Sequence, residues 1–190
     1  MSYQKDDVVT PFRKGDWLQT ASGVQYWPLD PRASEIRLED IAHALSNQCR
    51  FGGHCRFFYS VAQHCVHAAE NVAEEFKARA LLHDGTETYV VDVPRPLKRN
   101  LIGYDAIETL NAVAMSERFG MDLVILPREV KEADERMLWT EKRDLCLPAP
   151  APWTIAQGVS NIPYEMTIHP WSPEKARDAF LSAAAALGIK

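Results

Sequence analysis

After residue 29 the chain places its apolar residues at helical spacing almost without interruption, and this periodicity constrains the fold more than any other feature. Residues 38–48 (LEDIAHALSNQ) carry such a stripe. Ser60 followed three residues later by Gln63 reads as a capping box opening a second helix, which runs to about residue 76 on Val61, Cys65, Ala68 and Val72. A third, around residues 77–91, contains Ala80-Leu81-Leu82 and should be central and buried. Two more cover about 104–119 and 128–145, the latter started by Pro127. A last helix begins at Ser172-Pro173 and stops at Gly188.

The exceptions are few. Residues 16–29 read as a hairpin in which Trp17, Gln25, Tyr26 and Trp27 flank the turn pair Ser22-Gly23. CRFGGHCRFFY (residues 49–59) breaks the period with two glycines and reads as a loop, as does DVPRPLKRN (residues 92–100) with its two prolines. LPAPAP (residues 147–152) is a stiff connector. The expectation is one all-α unit over residues 1–190: a hairpin extension (1–37), a helical core (38–146), then a Pro-rich connector and C-terminal helix (147–190).

Composition excludes several classes. Hydrophobic residues at 46% and a net charge of −5 argue against disorder and against a general nucleic-acid binder, which needs a basic surface. No apolar run approaches the roughly 18 residues of a membrane span, and polar residues 1–15 do not resemble a leader, so a cytoplasmic setting is expected. The four cysteines, Cys49, Cys55, Cys65 and Cys146, form no CxxC pair and are expected to be reduced and mostly packed in the core.

Against this background some acids are out of place. On the helix over 128–145, Asp134 falls in the middle of the apolar face made by Val130, Met137, Leu138 and Leu145. A buried carboxylate costs several kcal/mol unless paired or bound to a metal, so Asp134 meets either an arginine of another helix or a cation. Glu141 shares the stripe but lies nearer the helix end, where it can reach solvent. In the buried helix His83 and Asp84 are adjacent, and Glu87 follows at i+4 and i+3, so the three can face one point. On the preceding helix His64 points inward, either as a satisfied core histidine or as a ligand, and His67 points toward solvent. His64, His83, Asp84 and Asp134 together offer two imidazoles and two carboxylates from three helices, a set suited to a borderline divalent ion.

The order His64, then His83-Asp84, then Asp134 resembles the HD-domain metal-dependent phosphohydrolases. HDGTETYVVDVPRPLK (residues 83–98) is similar to the HD-x-x-E-x-x-x-x-D-x-P-x-P-x-K pattern of their bacterial 5′-deoxynucleotidase branch and of the related phage dATP triphosphohydrolases. SVAQHCVHAA (60–69), EADERML (132–138) and Arg50-Phe51 match the flanking segments, so the likeness spans about residues 50–144. Gly85-Thr86 replaces the usual Ala-Ser or Ala-Ala, and Phe51 stands where tryptophan is common.

The resemblance implies an HD-type helical bundle in which His64, His83, Asp84 and Asp134 bind one divalent metal, Mn, Co, Fe, Ni or Zn, with Mg as a further candidate. It implies Glu87 as the catalytic acid, Asp92 as an assistant at the sugar or scissile bridge, Arg50 and Lys98 on phosphate oxygens, and Phe51 near the base or sugar. His54, in the Gly52-Gly53-His54 loop, is either a further phosphate contact or an exposed turn residue. Arg95 and Arg99 read as solvated surface charge. No histidine lies between His83 and Asp134, which favours one metal and disfavours cyclic-nucleotide hydrolysis.

The implied partner is a small nucleotide, with no nucleic acid and no membrane; the leftover apolar positions Ile107, Leu110 and Val113 offer a homodimer surface, as in relatives. The expected reaction is hydrolysis of deoxynucleoside 5′-monophosphates to nucleoside and phosphate. The alternatives are triphosphate release from a deoxynucleoside triphosphate, a nucleotide-sensing module, and a helical protein with a structural metal.

Overall fold

The computed structural model of the protein describes residues 12–153 and 161–190. The expectation that the first residues form no leader falls largely on 1–11, outside the described part. The fold is mostly helical with one small antiparallel sheet, and no helix among the described residues is long and apolar enough to cross a membrane.

Strands β1 (Leu18–Gln19) and β2 (Gln25–Tyr26) pair with Leu18 opposite Tyr26 and Gln19 opposite Gln25. Gly23 turns the chain at φ +84°, a conformation that strains any side chain with a Cβ. The tip is tied down by Asp40, whose carboxylate accepts from Ser22 N and Ser22 Oγ, both at 2.7 Å.

Asp40 belongs to α1 (Leu38–Asn47), which buries Ile41, Ala42 and Leu45. Helix α2 (Val61–Glu70) begins where Ser60 Oγ accepts from Gln63 N at 3.1 Å, and every residue from Val61 to Ala69 is buried. It lies at the centre of the molecule, packed by α1, by α3 (Lys77–Leu82), by α7 (Arg128–Leu145) and by α8 (Pro173–Ala186). Between them run α4 (Glu87–Val90), α5 (Arg95–Lys98) and α6 (Tyr104–Phe119), the last bounded by the left-handed glycines Gly103 and Gly120. One apolar cluster joins Tyr26 of the hairpin to Phe180 and Ile189 at the other end of the chain.

The structure departs from the periodicity at three places. Helix α2 stops at Glu70, and a separate 3₁₀ turn covers Glu74–Phe76. The helix expected over 77–91 breaks after Leu82 and resumes at Glu87, with Gly85 N on Leu82 O at 2.9 Å in the tighter i→i−3 pattern. A Cβ at Gly85 would run into the end of the Met115 side chain of α6 and lie 3.0 Å from Leu82 O, so Met115 would have to turn aside to admit one. The loop over 92–100 contains one helical turn, α5, following Pro94. Of the free cysteines only Cys65 is buried; Cys49, Cys55 and Cys146 are half-buried.

His67 is buried rather than solvent-facing, at 8% exposure. The C-terminal segment passes over its side of α2: Trp171 packs 4.9 Å from the imidazole, Trp171 N donates to Gln63 Oε1, and Gln63 Nε2 donates to His169 O. Gln63 therefore fastens the C-terminal segment, in place of the capping-box return to Ser60.

The hairpin is pinned behind α4 and α6. Tyr26 stacks on Tyr89 at 3.6 Å, and its hydroxyl donates to Asn111 Oδ1 at 2.6 Å. Asn111, fully buried, donates in turn to Pro28 O at 2.9 Å and Ile107 O at 2.8 Å. Asn111→Ala leaves a buried phenol and a carbonyl unpaired, and urea unfolding should show a loss of about 1–3 kcal/mol. A loss under about 0.5 kcal/mol, the scale of a surface change, would show that this network contributes little.

Candidate metal centre

His64 rises from the buried first half of α2, His83 and Asp84 stand in the break after α3, and Asp134 comes from α7. The four side chains converge. His64 Nε2 lies 3.2 Å from His83 Nε2, 3.2 Å from Asp134 Oδ1 and 3.6 Å from Asp84 Oδ2. His83 Nε2 lies 3.3 Å from Asp84 Oδ2 and 3.9 Å from Asp134 Oδ1. Donors bonded at about 2.1 Å to one ion stand roughly 3.0–3.4 Å apart along the edges of a tetrahedron or octahedron. The observed spacing is close to that.

The tautomers support the same assignment. His83 Nδ1 is 2.7 Å from Ala80 O, an acceptor only, so it carries the hydrogen and leaves Nε2 as a lone-pair donor when the ring is neutral. His64 Nδ1 is 2.6 Å from Glu141 Oε1, which has the same effect. Two bare nitrogens and two carboxylate oxygens facing each other repel unless a proton or metal ion sits among them.

The electrostatics carry the same demand for a cation. Burial opposes charge on His64 and His83, yet Glu141 and Asp134 around His64, and Asp84 around His83, outweigh it and raise both imidazoles above their ordinary values. Burial would raise Asp134, but hydrogen bonds from His64 and His83 hold it well below the usual carboxylate range. The donor set fits a divalent ion. Cys65 Sγ, His83 and Asp84 form a second close group, although burial pushes the Cys65 thiol up to about 11.

Two expectations change. Asp134 meets both a metal-compatible cluster and an arginine, since Arg95 donates to its Oδ2 at 3.2 Å. Glu141 does not reach solvent: it is fully buried, and its two oxygens are divided between His64 Nδ1 and Arg50 Nε, the latter at 3.1 Å. Arg50 is itself buried and spans from Glu141 to Asp84, with a second nitrogen 3.2 Å from Asp84 Oδ2.

Glu87 opens α4 at 8% exposure, and its Oε2 has no hydrogen-bond partner. Burial first, then the charges of Asp84 and Asp92, push its pKa well above the ordinary value. Asp92 is also raised, chiefly by burial. Gln48, unremarked in the sequence, clamps both ends of this element: its Nε2 donates to Glu87 O at 2.9 Å and its Oε1 accepts from Asp92 N at 3.2 Å. Among the described residues the non-glycine positions with positive φ are Phe51 (56°) and Val91 (69°), beside Arg50 and Asp92 respectively. Backbone strain of this kind concentrates at sites whose geometry is imposed by function.

Asp134 also faces a cleft of about 380 Å³ lined by Arg95, Lys98, Arg99, Lys131, Asp105 and Glu135. Arg95 and Arg99 thus border the site rather than lying on unrelated surface. Lys98 is held by Glu108 at 2.6 Å and lies over the Tyr104 ring. Phe51 is half-buried, its ring 6.2 Å from that of Trp153, and His54 is exposed at the end of the glycine bend.

Fold and site together define a mostly helical protein with a buried His/Asp centre suited to a metal ion. No protein-family model matches the chain. It is 41% identical over 143 residues to the uncharacterized protein YfdR of Escherichia coli strain K12, covering 75% of this chain and 80% of YfdR. It is 32% identical over 134 residues to the uncharacterized protein RCAP_rcc00048 of Rhodobacter capsulatus, covering 64% and 68%. The chain belongs to the family of YfdR.

Proposed function

We propose that the protein is a metal-dependent phosphohydrolase of the HD type that converts deoxynucleoside 5′-monophosphates to nucleoside and orthophosphate. The observation that carries this reading is the convergence of His64, His83, Asp84 and Asp134 beside the buried, half-unpartnered carboxyl of Glu87. The resemblance of residues 83–98 to the deoxynucleotidase pattern supports the substrate class.

His64, His83, Asp84 and Asp134 would hold a divalent ion, which when bound would lower the pKa of a water and polarise a phosphoryl oxygen. Arg50 and Lys98 bind the remaining phosphate oxygens, Arg50 held in place by its two carboxylate partners. Glu87, whose environment favours the protonated form, delivers its proton to the 5′-oxygen as the bond from that oxygen to phosphorus breaks, and is restored by the proton that the attacking water gives up. Asp92, its backbone fixed by Gln48, faces the sugar, and Phe51 packs against the sugar or base.

A second reading, triphosphate release from deoxynucleoside triphosphates, is favoured by one feature. Arg95, Lys98, Arg99 and Lys131 line the cleft together with Asp105, Asp134 and Glu135, a small excess of cation that extends beyond the donor cluster toward further phosphates.

Metal-stripped protein restored with Mn, Co, Ni, Zn or Mg should be given ribo- and deoxynucleotide mono- and triphosphates, with products separated by chromatography. Nucleoside plus orthophosphate from deoxymonophosphates supports the first reading, and inorganic triphosphate moves the assignment to the second. Tight nucleotide binding with no turnover under any metal would replace both with a sensing role.

A further inference from the structure

Glu141 is the most deeply buried acid of the centre, at 0% exposure, and the proposed chemistry gives it no step. Its position is nonetheless singular. One oxygen takes the hydrogen of His64 Nδ1 at 2.6 Å, and the other takes that of Arg50 Nε at 3.1 Å. Arg50 then reaches Asp84 at 3.2 Å, so a closed path runs from His64 through Glu141 and Arg50 to Asp84, and back across the 3.6 Å gap between Asp84 and His64. A carboxylate with each oxygen committed to a different donor fixes the direction of both donors at once.

We infer that Glu141 is a positioning residue that couples metal binding to phosphate binding: it holds His64 in the tautomer that presents Nε2 to the metal and aims the remaining guanidinium nitrogen of Arg50, Nη2, at the phosphate. This rests on the proposed function for the role of Arg50. The metal half stands on the donor geometry alone.

The physical reason lies in what a carboxylate can accept. Glutamine at this position has one acceptor and one donor group. If its oxygen serves His64, its amide nitrogen faces the N–H of Arg50, donor against donor, and the guanidinium must turn away. If it serves Arg50, the amide donates toward His64 Nδ1, and the imidazole shifts its hydrogen to Nε2, where it blocks the metal. Either arrangement costs one ligand of the pair. Aspartate keeps the charge but withdraws the oxygens by one methylene, so a purely Coulombic role survives Glu141→Asp and a positioning role does not.

The test uses the full chain and three measurements. In metal-free wild type, long-range ¹H–¹⁵N NMR should find His64 protonated at Nδ1; protonation at Nε2 alone overturns the inference without any variant. Co(II) titration followed by calorimetry and by the visible spectrum should show Glu141→Gln and Glu141→Asp binding about 10–100-fold more weakly than wild type, with an altered ligand-field spectrum. Orthophosphate binding to the Co(II)-saturated proteins should weaken about 10-fold or more in both variants, on the scale of one lost charge-assisted hydrogen bond.

Co(II) and phosphate affinities within about 3-fold of wild type, even with a lowered melting temperature, would reduce Glu141 to a structural role. Wild type that binds no Co(II) would overturn the metal reading itself, an outcome distinguishable from wild-type binding that Glu141→Gln matches.

Discussion

Glu87→Gln should lower the turnover of the metal-loaded protein by about 10²–10⁴-fold, the usual contribution of a positioned acid or base, while making the metal-free protein more stable at neutral pH. Both effects come from one property. Burial and the neighbouring acids Asp84 and Asp92 raise the folded-state pKa of Glu87 above its unfolded value. A carboxyl shifted in that direction contributes its full stability below the unfolded pKa and loses it as pH rises through the folded pKa.

Glutamine has no proton to lose and keeps an amide where the chain prefers a neutral group. Thermal melts of metal-free wild type and Glu87→Gln should therefore coincide near pH 4 and separate by several degrees at pH 8, the variant being higher. Initial rates on deoxymonophosphates at saturating metal provide the other half. A variant that retains wild-type turnover removes Glu87 from the chemistry, and one that melts lower at pH 8 refutes the burial argument.

Asp134→Ala should abolish the stabilisation that a metal ion confers. For wild type at a free Co(II) concentration of about 100 times Kd, binding adds about 2.7 kcal/mol to the folded state. In a chain of this length that corresponds to about 5–10 °C in melting temperature. The variant loses the carboxylate 3.2 Å from His64 Nε2 and should shift by less than about 2 °C at the same Co(II) concentration, with turnover at background. Arg95, the other partner of Asp134, is 43% exposed and should contribute little to the change. A full Co(II) shift in Asp134→Ala would place the ion elsewhere.

Much of this arrangement was legible in the chain. Helices α6 and α7 have the ends that Gly103, Gly120 and Pro127 suggest, because those terminators act locally. The hairpin turn at Gly23 is legible for the same reason. The break between α3 and α4 is not, since the apolar period runs on through it. His67 was misplaced because a helical wheel cannot register a segment more than 90 residues away, and it is Trp171 that covers it. Glu141 was misjudged by the assumption that an acid near a helix end finds water. Its signal was present all the same: it lies seven residues, two turns, beyond Asp134, so it had to enter the same interior. The pairing of Arg50 with Glu141, across 91 residues of sequence, was invisible to any local rule.

The four donors are not mounted with equal stiffness. His64 stands on a helix whose residues from Val61 to Ala69 are all enclosed, whereas His83 and Asp84 occupy the short turn that separates α3 from α4. A close-packed helix cannot shift without repacking the interior, whereas the Asp84 side chain, 20% exposed, lies at the rim of that interior. On the proposed function, an ion of different radius would be accommodated on the Asp84 side and not on the His64 side. Selection among Mn, Fe, Co, Ni and Zn would then rest on the inherent order of ligand affinities and on the supply of each ion, not on the size of a rigid cage.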